Sequence, residues 1–238
     1  MSSAEKNSSL EKRPLLSFKY MPFLAIVSLA LGLATFKGWQ SLSSNSSGSS
    51  QASLSEQLKD DDVFIFPHSI NVTDVPFLNE EGDTVGKNEN LGKWSFLFFG
   101  YTFCPDVCPT TLAVMQQMWI KLSPEMQSKT QVVLVSVDST RDTPEQLKSY
   151  MDYFDPSFTA FTGKPASLRS FATQLNAVYA KVERKNAQGE VDKELGYLMD
   201  HSANITILDP DGNYYGFIKP PFKPKKMLRI VTAIQTQD

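Results

Sequence analysis

Two stretches of the chain carry no charge, are predominantly apolar and are of strand length: residues 94–101 read WSFLFFGY, and residues 131–137 read QVVLVSV. A strand wetted on one face alternates apolar with polar residues, whereas an uninterrupted run belongs to a strand covered on both faces. Between the two, over Pro109–Leu122, the side chains Leu112, Met115, Met118, Trp119 and Leu122 recur at helical spacing. Strand, helix and strand in that order predict a βαβ unit with parallel strands and a right-handed crossover. The remainder fits around it. Thr143 and Gln146 form a capping-box pattern with Pro144 at the first helical position, so a helix is expected from Thr143 to about Phe154. A short strand is expected at 157–161, a helix at 166–176 and a strand at 178–183. Residues 204–208 and 214–218 flank Asp209-Pro-Asp-Gly212, a hairpin signature. A closing helix over 223–236 carries Met227, Ile230, Val231 and Ile234 on one face. The expected fold is α/β: a mixed β-sheet flanked by helices, preceded by one N-terminal transmembrane helix.

The transmembrane expectation rests on Tyr20–Phe36, which runs without a charge. As a helix it spans about 25 Å, just short of a bilayer core of about 30 Å. Lys19 and Lys37 can reach outward, and Tyr20 and Trp39 suit the two interfaces. Basic residues precede it, which predicts a cytoplasmic N-terminus (1–19), an anchor (20–37) in the inner membrane, and a body in the periplasm. A cleaved signal peptide is the competing reading, since Gly32-Leu33-Ala34 resembles a small-residue cleavage site. Half of residues 40–57 is Ser, so 38–60 is expected to be a flexible linker and 61–238 one folded domain. A net charge of −3 offers no whole-chain argument for nucleic acid.

The only two cysteines, Cys104 and Cys108, lie where the first buried strand hands over to its helix. Strand ends of this kind are functional positions in α/β sheets. The helix N-terminus favours a thiolate at Cys108. Redox pairs of the CxxC kind have two intervening residues; here there are three. Helical i, i+4 Cβ atoms stand about 5–6 Å apart, against about 3.5–4.5 Å in a disulfide. The spacing leans toward a metal held between the sulfurs and leaves a disulfide open. Of the two histidines, His68 lies beside the linker and reads as bland. His201 precedes a strand of the terminal hairpin, with Asp200 as a candidate partner for its ring. Two thiolates and an imidazole suit Cu(I), and with an added oxygen donor Cu(II); zinc remains open on chemistry alone.

At these residues the chain resembles the Sco/SenC family of copper-delivery proteins for cytochrome c oxidase assembly. The matching pieces are FGYTFCPDVCPTTL at 99–112, VSVDSTRDTPEQLKSYMDYFDPSF at 135–158, FTGKP at 161–165 and DHSANITILDPDG at 200–212. The resemblance implies a thioredoxin-like fold, a single membrane anchor, and copper bound by Cys104, Cys108 and His201. It also implies a copper-receiving oxidase subunit and a copper donor or thiol reductase as partners. Ser139 departs from the family's usual Pro at a turn, which touches no ligand, and residues 185–199 are less familiar. The rival function is a membrane-tethered thiol-disulfide oxidoreductase working through Cys104 and Cys108.

Other residues have plainer readings. Met115 and Met118 are expected in the core, and Met199 is a candidate copper contact. Asp106 either tunes the thiolates or bonds the turn. Asp138, Arg141 and Asp142 form a structural ion pair or turn, or act near the site. Asp209–Gly212 lacks the later Glu of a calcium loop. Lys223, Lys225, Lys226 and Arg229 form a solvated helix start or meet lipid headgroups.

Overall fold

A computed structural model describes residues 46–86, 92–191 and 196–236. Ser47–Asp238 forms one compact unit. The expected anchor at 20–37 lies outside the described residues. Among those described, no helix is long and apolar enough to cross a membrane.

Two parallel strands form the centre, β4 (Trp94–Gly100) and β5 (Thr130–Ser136), with Phe96 opposite Val132 and Phe98 opposite Leu134. Their crossover contains α2 (Val107–Trp119) and the short α3 (Pro124–Ser128). Helix α4 (Pro144–Asp152) leads to β6 (Thr159–Thr162), parallel to β5, and α5 (Pro165–Gln174) follows. The hairpin β9 (Ile205–Leu208) and β10 (Tyr214–Ile218) packs antiparallel against the other edge of β4. Strands β1 (Val63–Ile70), β2 (Phe77–Asn79) and β3 (Thr84–Val85) complete a mixed sheet in the order β1-β10-β9-β4-β5-β6-β2-β3. The C-terminal helix is α6 (Pro224–Gln235). A separate two-stranded ribbon pairs β7 (Tyr179–Glu183) with β8 (Tyr197–His201).

The unbroken apolar runs are explained by the two layers of core. Along β4, Phe96 and Phe98 face one cluster with Met115, Met118, Met227 and Ile230, while Leu97 and Phe99 face a second with Leu168 and Phe171. Alternate residues of a strand point to opposite faces, so both sets must be apolar when helices cover both faces. Met115 and Met118 are core residues, as expected.

The expected caps and turns form. Thr143 Oγ1 accepts from the Gln146 amide at 3.3 Å. Asp209 Oδ1 accepts from the amides of Asp211 and Asn213, which closes the hairpin turn. Gly212 there has φ +70°, a conformation glycine adopts without steric cost.

The body begins earlier than Asp61. Within the segment expected to be a flexible linker, Ser46–Gln57 forms α1, followed by a 3-10 turn at Lys59–Asp61. Leu54 and Leu58 are fully buried in the first core cluster. Serine-rich composition hides two leucines four residues apart, which is one helical turn and enough to dock a helix. Strand β1 was also not foreseen. Pro67 interrupts its pattern, and the sheet accommodates it because β1 is an edge strand.

Candidate metal centre

Strand β4 ends at Gly100, and the chain turns through Tyr101–Asp106 into α2. The loop is pinned from beside β5. Buried Asp142 accepts from the Thr102 amide at 3.0 Å and the Thr102 hydroxyl at 2.7 Å, and also from the Ser136 hydroxyl. Burial raises its pKa, and the hydrogen bonds work against that rise.

Cys104 is 8% exposed and Cys108 1%, and neither is in a disulfide. Ligand atoms of Cys104, Cys108 and His201 all lie within 4.8 Å of one another. Cys108 Sγ stands 3.6 Å from His201 Nε2. Three ligands placed trigonally about 2.2 Å from a metal would stand about 3.8 Å apart, so closing the set needs only a small contraction. His201 is oriented for this. Its Nδ1 lies 3.1 Å from the Ser202 carbonyl, which can only accept. With Nδ1 donating there, the neutral ring has its Nε2 lone pair available to a metal beside the sulfurs.

The two sulfurs are unequal. The Cys108 thiol donates to Cys104 and, against the effect of burial and with the help of the His201 ring and the amides of Asp106 and Cys108, pulls the Cys104 pKa well below the ordinary thiol value. Cys108 is pushed up, first by that same bond to Cys104 and then by burial. Sequence reasoning placed the favoured thiolate at Cys108; the structure places it at Cys104. Cys104 lies ahead of the helix, where the free amides of the first turn point, whereas Cys108 is already within it.

Gly100 is a site residue the sequence did not reveal. A Cβ on it would stand 2.8 Å from Cys108 Sγ, so the sulfur packs where only glycine leaves room. Ser202 was missed for a simpler reason, because a backbone carbonyl has no signature in residue type. Asp200, the expected partner of the ring, is exposed and paired across the ribbon with Ala180. It alternates away from His201 along β8. Met199 shares the His201 face, yet it packs against the core clusters and lines a separate cavity with Leu168 and Tyr179, while the group that could hold a metal comprises Cys104, Cys108 and His201. Asp106 sits at the N-cap of α2 without a side-chain capping bond. Asp138 and Arg141 form the expected ion pair. Lys226 pairs with Asp62 and Arg229 with Asp61. His68 is exposed on β1.

A cleft of about 320 Å³ opens beside Cys108 and His201, walled by Val107, Val114, Ala203, Pro221 and Phe222. Val107 and nearby Phe103 are half exposed, so the ligands are rimmed by apolar surface.

Residues 70–236 match the SCO1/SenC family. A Stutzerimonas stutzeri protein named for copper binding is 31% identical over 172 residues, covering 72% of this chain and 80% of its own. The solution structure of apo Sco1 from Thermus thermophilus is 30% identical with a TM-score of 0.61, covering 73% of this chain and 95% of that one. ScoI of Bradyrhizobium japonicum, solved with copper bound, is 29% identical with a TM-score of 0.58, covering 67% and 96%. With a family match over most of its length and a mixed sheet flanked by helices like these relatives, the chain belongs to the SCO1/SenC family.

Proposed function

We propose that the chain binds copper through Cys104, Cys108 and His201 and hands it to a copper-receiving subunit during cytochrome c oxidase assembly. The observation that carries this reading is the convergence of two sulfurs and an imidazole nitrogen within 4.8 Å. The imidazole comes from a segment distant in sequence, and its Nδ1 faces the Ser202 carbonyl while Nε2 faces Cys108 Sγ. Soft thiolates with one nitrogen suit Cu(I) and can hold Cu(II). The copper-bound relative and the one named for copper binding favour copper over zinc. The body is tethered by residues 20–37 to the inner membrane and works in the periplasm. A copper donor or thiol reductase serves it there.

A second reading has its own support. The Cys108 thiol donating to a Cys104 thiolate is a poised dithiol, as a thiol-disulfide oxidoreductase requires. His201 separates the two, because copper binding uses it and dithiol exchange does not. The test is copper loading of the reduced full-length chain beside Cys104→Ala and His201→Ala. About one copper per chain in the wild type, lost or strongly weakened in both variants, supports delivery. No tight copper, with rapid exchange against a disulfide substrate, supports the oxidoreductase.

A further inference from the structure

His201 sits on a strand that the main sheet does not hold. Among the described residues its strand, β8, pairs with β7 alone, in a ribbon separate from the eight-stranded sheet. Cys104 stands on the loop after the central strand β4 and Cys108 in the first turn of α2. A site that draws two side chains from this corner and one from the ribbon needs something to fix the distance between them.

The loop between β5 and α4 does this through two adjacent residues. Asp142 grips Thr102, two residues before Cys104. Arg141 Nη1 donates to the Tyr197 carbonyl at 3.2 Å, and its guanidinium lies 3.7 Å from the centre of the Tyr197 ring. Asp138 pairs with Arg141 Nε and accepts from the Tyr197 hydroxyl at 2.8 Å. The same guanidinium lies 4.9 Å from the Phe103 ring centre and 5.6 Å from that of Tyr101. Tyr101 in turn meets the His201 ring edge-on at 6.2 Å, and its hydroxyl accepts from the Met199 amide. Tyr197, Met199 and His201 share one face of β8. Arg141 is thus sandwiched between the cysteine loop and the histidine ribbon, and touches aromatic rings from both.

We infer that Arg141, set by Asp138 and stacked on Tyr197, is a positioning residue that latches the His201 ribbon against the Cys104–Cys108 loop. It decides whether the third ligand reaches the metal. The geometry calls for arginine: a planar, permanently charged fork can stack on rings and donate to a carbonyl and a carboxylate at once, which a lysine does not match. The inference rests on the copper reading only for the metal's identity, because the juxtaposition of the two elements belongs to the metal-free protein.

The experiment uses the reduced full-length chain, purified in detergent, as wild type, Arg141→Ala, Arg141→Lys, Tyr197→Leu, His201→Ala and the double variant Arg141→Ala/His201→Ala. Cu(I) affinity is read by chelator competition. The histidine ligand is read from nitrogen hyperfine coupling in the Cu(II) resonance spectrum. Removing an outer partner of a metal ligand costs about 10–100-fold in affinity. Arg141→Ala, Arg141→Lys and Tyr197→Leu are expected to fall in that range and to lose the nitrogen coupling while keeping sulfur ligation. The double variant is expected to bind no more weakly than His201→Ala. Wild-type nitrogen coupling in Arg141→Ala, or losses that add in the double variant, would overturn the latch. Failure of the wild type to bind copper would instead sink the functional reading. The latch would then be judged in the metal-free protein by the nuclear Overhauser contact between the Tyr101 and His201 rings. Its loss in Arg141→Ala sustains the latch, and its persistence refutes it.

Discussion

Replacing Gly100 by alanine tests whether the copper site depends on a backbone that carries no ligand. The new Cβ would stand 2.8 Å from Cys108 Sγ, 3.0 Å from Leu134 Cδ1 and 3.2 Å from Phe98 Cε2. Favourable contacts begin at about 3.5 Å, so the sulfur must retreat by roughly 0.7 Å or β4 must bend. Metal–ligand distances tolerate only about 0.2 Å. The Leu134 methyl ends a flexible side chain and can turn aside. Cys108 is at the start of a helix and accepts the Tyr101 amide, so it has less freedom. Overpacking of this kind costs about 1–3 kcal/mol. Borne at the site, that is a loss of roughly 5–150-fold in copper affinity. Chelator competition on the reduced full-length chain measures the affinity, and thermal melting of the metal-free form measures the fold. Gly163→Ala is the control, since its Cβ would meet nothing closer than 3.4 Å. A Gly100→Ala protein that melts lower but binds copper like the wild type would refute the reasoning, because the strain would then have gone to Leu134 and Phe98 rather than to the ligand.

Three further outcomes follow from the same geometry. The depressed pKa of Cys104 means its thiolate persists as pH falls below the ordinary cysteine value of about 8.5. At pH 6 iodoacetamide should therefore give a single adduct at Cys104 in the reduced, metal-free protein, and peptide mapping that finds both cysteines or neither modified contradicts this. Asp142→Ala strands the donors of Thr102 and Ser136, at about 1–3 kcal/mol for each one left unsatisfied, and should lower both the denaturant midpoint and copper affinity. Because burial raises the Asp142 pKa, its titration contributes stability below the unfolded value of about 3.9, which is lost as pH rises through the folded value. Relative to Asp142→Asn, the wild type should thus gain stability on acidification through that window. Leu58→Ala, in the segment first read as linker, should cost about 2–5 kcal/mol in equilibrium unfolding, and an effect near zero would mean that α1 is not docked.

How much of this was legible depended on whether a feature lives in residue type or in backbone position. The doubly apolar runs of β4 and β5 announced a covered parallel pair, and the periodicity of α2 and α6 announced the cover. The candidate ligands Cys104, Cys108 and His201 were legible because thiols and imidazoles are rare in this chain. Their partners were not. The carbonyl that orients His201 belongs to Ser202, and nothing in a serine signals that its backbone accepts from a ring. Gly100 looked like one more residue of an apolar run until Cys108 was seen against it. Helix α1 was lost in serine, since two buried leucines decide its docking while composition counts all the residues around them.

The Asp138–Asp142 segment shows the same division more sharply. Its charges were visible, and a structural ion pair or turn among Asp138, Arg141 and Asp142 was expected; the pair that forms is Asp138 with Arg141. Which elements that pair would join was not visible, because Tyr197 lies 56 residues beyond Arg141 and comes near only through the ribbon. Cys104 and Cys108 stand at the end of β4 and the start of α2, whereas His201 stands on a ribbon outside the main sheet. A protein that passes its metal on must release a ligand at some step, and the ligand on the separately latched element can leave at least cost to the core. The apolar rim of Phe103 and Val107 beside it lies where a receiving partner would exclude water during exchange. On the proposed reading, the latch residues would then set how readily the site opens.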